Sequence, residues 1–311
     1  MMSMKIALLM GGVSSEREVS LRSGQAVADA LCAKGMEVRP IDVRSESLDD
    51  FVDPAIDLYF IALHGGFGED GRLQRAFEER GICFTGSGAA ASALAMDKCA
   101  AKEIFLRNAI PTPPFRTIEP SSTMADVGHI AGELGFPLVL KPRSEGSSVG
   151  VSIHHDPRAL EKGFRDAAQG KQDVLMERYI AGKELTVGIL EDRPLPPIQL
   201  IPRQSFYDYT AKYRDTETQY LVNPPIPPEI AARAREIALS AHKALGCRCL
   251  SRVDIMLASD GGLFALEVNT VPGLTDRSLL PKAARAAGIE FPDLCLKIVN
   301  DALRRSGRTD R

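Results

Sequence analysis

The sequence predicts an α/β protein, and three observations carry the prediction. In the N-terminal third, short apolar runs alternate with helical spacings, the pattern of a parallel sheet with crossover helices. Near the C-terminus, two apolar segments with acids at their ends flank an Asp260-Gly261-Gly262 turn, which reads as an antiparallel hairpin. The chain has 311 residues, 44% apolar and 25% charged; that is ordinary globular composition at a length suited to two or three domains.

Lys5 to Met10 is the first apolar run, closed by Gly11-Gly12. Glu16 to Lys34 then carries Val19, Ala26, Val27, Ala30 and Leu31 at helical spacing and stops at Gly35. Val38 to Val43 and Leu58 to Leu63 read as two more strands, and Arg72 to Arg80 as the next helix. This third is Rossmann-like, but no GxGxxG follows its first strand, so dinucleotide binding is not supported. Parallel sheets bind ligands at the loops beyond their strand ends. Two such loops are glycine-rich, Gly11 to Glu18 and His64 to Gly71, and glycine lets a small ligand approach the backbone. Glu16 reads either as a ligand carboxylate or as favourable charge at a helix start, and His64 lies in a neighbourhood too polar for a core histidine.

At Asp97 the texture changes, which suggests a domain boundary. A helix over Lys98 to Arg107, a break at Ile110-Pro111-Thr112-Pro113-Pro114 and a helix over Met124 to Leu134 lead to the strand Leu138 to Pro142. Arg143 to Gly150 is a loop of small residues before the strand Val151 to His154. It reads as a flap whose amides and hydroxyls can cover phosphates, not as a Walker loop, since no GKS or GKT follows. Lys141 sits on a strand otherwise made of Leu and Val, where a lysine is costly unless an anion pairs with it or its ammonium snorkels out. After a helix over Pro157 to Ala168, the segment Val174 to Ile180 and the strand Leu185 to Leu190 enclose Glu177 and Glu184. These can serve as acceptors for an adenine amine and ribose hydroxyls, or as plain surface charge. Arg203 to Pro225 has no clear period and reads as a lid or binding loop. Helices over Glu229 to Leu245, Ser278 to Ala287 and Asp293 to Arg304 complete the chain around the hairpin.

Within that hairpin, alternation puts Arg252 and Asp254 on one face, and likewise Glu267 and Asn269. Asp254, Glu267 and Asn269 then offer hard oxygen donors beside a cation, a set suited to magnesium carrying phosphates and not to zinc. The plainer reading is the solvated face of a hairpin. A formal charge of −3 gives no broad basic field, so nucleic acid and anionic membrane surfaces are not expected partners. The opening apolar run is too short for a signal peptide or a membrane span, which points to the cytoplasm. Six cysteines without CxxC spacing read as small buried apolar residues, with Cys247 and Cys249 on one strand face.

The segments GGVSSEREVSLRSG, IALHGGFGEDG, TGSGAAASALAMDK, KPRSEGSSVG, FYDYTAKY, SRVDIML and EVNTVPGLTDRSLLPKAA occur in the order and approximate spacing of a known family. From end to end the chain resembles the D-alanine–D-alanine ligases of the ATP-grasp superfamily. The resemblance implies a Rossmann-like substrate-binding domain over 1–97, a central ATP-grasp lobe over 98–182, and a C-terminal ATP-grasp lobe over 183–311 with the lid and magnesium site. It also implies roles. Lys98 and Lys141 would contact ATP phosphates, Glu177 and the Ile180 backbone adenine, and Glu184 ribose. Asp254, Glu267 and Asn269 would hold two magnesium ions, with manganese as the alternative. Glu16 would hold the ammonium of the first D-alanine, linked to Ser147 and to Tyr213 of the lid, and Lys212, Ser278 and Leu279 would position the carboxylate of the second, near His64. Arg252 and the Gly273 amide would stabilise an oxyanion. The implied activity is ATP-dependent formation of D-alanyl-D-alanine through an acyl phosphate, by a homodimer, for peptidoglycan synthesis. Alternatives are a D-alanine–D-lactate-type ligase, against which Tyr213 argues, and a non-catalytic nucleotide-binding protein. Arg277 departs from the family, whose members often have His there, and leaves selectivity for the second substrate open.

Overall fold

In the computed structural model, residues 4–169, 171–201 and 218–307 are described. The chain opens with β1 (Lys5–Gly11), α1 (Arg17–Ala33), β2 (Glu37–Val43) and β3 (Leu58–Ile61), followed by α2 (Arg72–Glu79). These strands form a parallel sheet in the order β2-β1-β3, with Ile6 facing Val38 on one side and Leu58 on the other. A parallel bridge between Tyr59 and Phe84 extends the sheet by one position. Ile6, Ala7, Leu8 and Leu9 are fully buried, as expected for a central parallel strand covered on both faces. Val19, Val27, Ala30 and Leu31 are the buried stripe of α1, so the helical spacing identified the packed face.

Next come α3 (Ala89–Met96), α4 (Lys98–Arg107), β4 (Phe115–Ile118), α5 (Met124–Leu134), β5 (Leu138–Pro142), β6 (Ser152–His154), α6 (Leu160–Ala167) and β7 (Val174–Arg178). The Asp97 side chain caps α4 by accepting from the Ala100 amide at 3.0 Å, and Thr123 with Asp126 forms a capping box on α5. An antiparallel sheet in the order β4-β7-β5-β6 buries Leu138, Leu140, Val174 and Met176 against α5 and α6. Each such side chain contributes roughly 1.5–3 kcal/mol by leaving water.

The remainder is β8 (Gly182–Leu190), β9 (Arg193–Pro194), β10 (Ile198–Ile201), β11 (Gln219–Val222), α7 (Pro228–Ala244), β12 (Leu250–Ala258), β13 (Leu263–Asn269), α8 (Leu279–Ala286) and α9 (Phe291–Arg305). Its sheet runs β11-β10-β8-β12-β13, with β9 beside β8. Ala91 and Ala95 of α3 and Ala101 and Phe105 of α4 share a core with Val187, Val253 and Ile255 of this sheet. The helix that opens the central segment therefore lies on the C-terminal sheet, with its polar residues near the seam between the two antiparallel sheets.

Several expectations need correction. Ala89–Met96 is helical although its alanine-rich sequence shows no polar stripe, because it is packed between α2, α4 and β13. Phe115–Ile118 and Ile198–Ile201 are strands among prolines that masked them. Gln219–Val222, inside the expected loop 203–225, is a strand paired with β10. The helix over 157–168 begins as a 3₁₀ turn at Pro157–Ala159. Cys247 and Cys249 precede β12 instead of sharing a strand face, and Cys32 is exposed while the other cysteines are buried. Among the described residues no helix is long and apolar enough to cross a membrane.

Candidate active site

A cavity of about 360 Å³ opens between the two antiparallel sheets. Val139, Ile153, Met256 and Leu266 give it apolar walls, while Lys141, Glu177, Ile180 and Glu184 supply polar groups. Such a mixture suits a flat heteroaromatic ring with a polar edge. β7 directs Glu177 inward, where its carboxylate lies 2.6 Å from the Lys141 ammonium and 2.8 Å from that of Lys102. Burial pushes the Glu177 carboxyl up, but the two ammonium groups outweigh it and hold it below the usual range. Burial lowers Lys141 as well, yet Glu177, Glu267 and Glu184 together raise it above its ordinary value. Two ammonium groups on one carboxylate leave this corner suited to an incoming anion. Lys98, at the start of α4, donates to the Glu145 carbonyl in the 143–150 loop, so this cation and the flap are in contact.

A larger cavity, about 1040 Å³, lies between the N-terminal sheet and the C-terminal segment. Glu16, immediately before α1, is buried there and accepts a hydrogen bond from the Ser147 hydroxyl. Ser147 and Ser148 both adopt left-handed backbone, φ 53° and 59°, an uncommon pair that turns the flap toward Glu16. Gly65, φ 71°, lets the opposite loop approach, since a Cβ there would stand 2.7 Å from Glu16 Oε2. His64 is buried with Nδ1 3.4 Å from Glu69 Oε1 and Nε2 3.0 Å from Ser23 Oγ. The Glu69 carboxyl is pushed up, first by burial and also by Glu16. Ser23 accepts from the Leu274 amide at 3.3 Å, which ties α1 to the loop bearing Gly273. At the far wall, Ser278 Oγ accepts from the Thr275 amide at 3.1 Å and lies 2.9 Å from Thr275 Oγ1, with Leu279 opening α8.

The two cavities meet at Lys98, Asp254 and Glu267, which line both. β12 and β13 place Asp254 directly opposite Glu267, and Arg252 opposite Asn269. Opposed like charges destabilise a strand pair unless a cation intervenes. Arg252 meets that need for Asp254 with two contacts of 3.0 and 2.9 Å, and Thr186 donates to the same carboxylate at 2.6 Å. Asn269 Oδ1 accepts from the Val271 amide at 2.9 Å. A register shift follows Asp254, a bulge beside the charged wall. Two carboxylates and an amide oxygen at the mouth of a cation-rich cavity fit a hard divalent ion shared with phosphate. Among the described residues no cluster of three His, Cys, Asp or Glu offers a different kind of metal site.

Of the residues selected from sequence, Glu16, His64, Lys98, Ser147, Arg252, Asp254, Glu267, Asn269, Gly273, Ser278 and Leu279 line the large cavity, and Lys141, Glu177, Ile180 and Glu184 the smaller. Lys212 and Tyr213 lie outside the described residues. Sequence reading missed Lys102, Thr186 and Glu69. Lys102 follows Lys98 by one helical turn, and that i, i+4 spacing is the signal it gave.

A family model for the D-ala D-ala ligase C-terminus matches residues 104–300. The D-alanine–D-alanine ligase of Desulforudis audaxviator is 47% identical over 306 residues, covering 97% of this chain and 99% of that one. That of Syntrophotalea carbinolica is 45% identical over 302 residues, 97% of each chain. Among solved structures, the D-alanine–D-alanine ligase from Bacillus anthracis complexed with ATP superposes with a TM-score of 0.86 at 36% identity, over 99% of both chains. The VanG D-Ala:D-Ser ligase from Enterococcus faecalis gives 0.86 at 28% identity, over 97% of this chain and 100% of that one.

Proposed function

Because the chain belongs to the D-alanine–D-alanine ligase family, with its ATP-grasp fold, we propose how its residues divide the work of joining two D-alanines. It is an ATP-dependent ligase that forms D-alanyl-D-alanine for peptidoglycan precursor synthesis. One observation carries the division of labour: a cavity suited to a nucleotide and a polar cavity suited to small zwitterions share the wall Lys98, Asp254 and Glu267.

In this reading adenine lies between Val139 and Met256, with Glu177 and the Ile180 backbone at its edge and Glu184 at the ribose. The phosphates extend toward Lys98 and Lys141 beneath the 143–150 flap. Asp254, Glu267 and Asn269 would hold magnesium, two ions or manganese in their place, which offsets phosphate charge when bound. Glu16, held by Ser147, pairs with the ammonium of the first D-alanine and aims its carboxylate at the γ-phosphate. Transfer of the phosphoryl group gives an acyl phosphate and ADP, a step of positioning and electrostatics in which the lysines offset moving charge. Ser278, the Leu279 amide and Lys212 position the carboxylate of the second D-alanine, with His64 nearby. Its amine attacks the acyl carbon, and the Arg252 guanidinium and the Gly273 amide face the oxyanion that develops. Phosphate leaves, and the dipeptide remains. Water must be kept out, which gives the flap and the loop bearing Tyr213 a purpose.

We also propose domain limits at 97/98 and 182/183, since each of the three sheets falls within one of those spans but for Gly182, the first residue of β8. A homodimer in the cytoplasm that acts without nucleic acid or membrane completes the reading. The test is phosphate release from ATP by pure protein, with product mass determined. Release must depend on D-alanine and yield the dipeptide. A depsipeptide product in preference to it, when D-lactate competes near neutral pH, would refute the assignment of the amine nucleophile.

A further inference from the structure

Lys102 has 0% exposed surface and does not line the nucleotide cavity, yet its ammonium reaches Glu177 Oε2 at 2.8 Å from behind. It is anchored there. Its Nζ donates to Thr112 Oγ1 at 2.5 Å, and Thr112 donates to the Ala265 carbonyl of β13 at 2.8 Å. The Phe115 ring lies 5.4 Å from the same ammonium. A buried lysine is costly, so a chain that keeps one here must gain from its charge.

We propose that Lys102 is a positioning residue that sets nucleotide choice, by keeping Glu177 an ionised acceptor after Lys141 has turned to the phosphates. The inference rests on the adenine reading of Glu177. Lys141 contacts the opposite carboxylate oxygen at 2.6 Å but also faces the cavity, so phosphates will draw its ammonium away. Without Lys102, Glu177 would then stand as a buried carboxylate with no cation, and such a group takes up a proton. An ionised carboxylate only accepts hydrogen bonds, whereas a protonated one also donates. The ionised form matches the exocyclic 6-amine of adenine and repels the 6-oxo group of hypoxanthine or guanine.

The experiment compares kcat/KM for ATP and for inosine triphosphate, its 6-oxo analogue, in D-alanine-dependent ligation. The parent, Lys102→Met, Glu177→Gln and the double variant are measured. The parent should favour ATP, and Lys102→Met should cut that preference at least tenfold, chiefly through KM for ATP. In the Glu177→Gln background, adding Lys102→Met should change the ratio less than about twofold, because the lysine acts through the carboxylate. This pair removes both buried charges together and remains readable if Lys102→Met alone does not fold. Equal loss for both nucleotides in Lys102→Met, or a further change above threefold in the double variant, overturns the proposal. If Glu177→Gln leaves the parent preference intact, the adenine reading of the pocket itself is wrong.

Discussion

Glu267 faces Asp254 across β12 and β13, and that pairing separates what the residue does for the fold from what it does for chemistry. Opposed carboxylates contribute repulsion to the folded state. Glu267→Gln removes the repulsion and keeps the shape, so thermal stability should hold within about 3 °C, while turnover falls at least a thousandfold, on the order of a lost charge-stabilising group. D-alanine-dependent phosphate release and a melting curve on the same sample check both halves; substantial turnover would remove Glu267 from the site. The pairing of Asp254 with Glu267 depends on the bulge after Asp254, since the register running back from the Asp260-Gly261-Gly262 turn would set Asp254 against Leu266. The sharing of a face by Arg252 and Asp254, and by Glu267 and Asn269, was legible in the sequence because side chains alternate along a strand. Lys102 was not. On a helix that also exposes Glu103 and Arg107, a further lysine looks like solvated surface, and only the packing of α4 against β7 and β13 reverses that.

His242 of α7 sits wholly buried against β12, with Nδ1 2.7 Å from Ser251 Oγ and Nε2 3.4 Å from Asp192 Oδ1. Burial lowers its pKa from 6.5 to about 4, against an opposing pull from Asp192. The folded state therefore binds fewer protons than the unfolded chain between those values. The stability this neutral histidine permits is complete above pH 6.5 and is lost as pH falls toward about 4. Its size is about 3 kcal/mol, from 1.36 kcal/mol per pKa unit. Urea unfolding at pH 7.5 and at pH 4.5 should thus lose less stability in His242→Gln than in the parent; equal losses would exclude this helix–strand contact as an acid-sensitive point. The contact was hidden in the sequence, where His242 belongs to a helix and Ser251 opens a strand across a turn. The elements themselves were plain: Lys98–Arg107, Met124–Leu134 and Leu138–Pro142 match their expected ends because caps, glycine and proline mark them. Ala89–Met96 escaped because a helix of small residues packed on several sides carries no amphipathic period.

Across the whole molecule, neither cavity belongs to one sheet. The smaller takes Val139, Lys141 and Glu177 from the four-stranded sheet, and Gln199, Met256 and Leu266 from the six-stranded one. The larger takes Glu16 and His64 from the parallel sheet's loops, Ser147 from the flap and Ser278 from the C-terminal segment. In the proposed reading ligands bind across seams that the hydrophobic cores close only in part, and a nucleotide would tie two sheets together. Binding only to the folded state at a hundred times Kd adds about 2.7 kcal/mol, which for a chain of this length raises Tm by about 4 °C. ATP with magnesium should produce that shift, and chelation of the metal should reduce it, because the phosphates would then confront Asp254 and Glu267 directly. Lys141→Met removes the cation that pairs with Glu177 and that we propose engages the phosphates, and should leave less than about 1 °C at the same nucleotide concentration. Differential scanning fluorimetry with and without chelator reads all three. A full shift in Lys141→Met would mean that the nucleotide is held elsewhere than between these sheets.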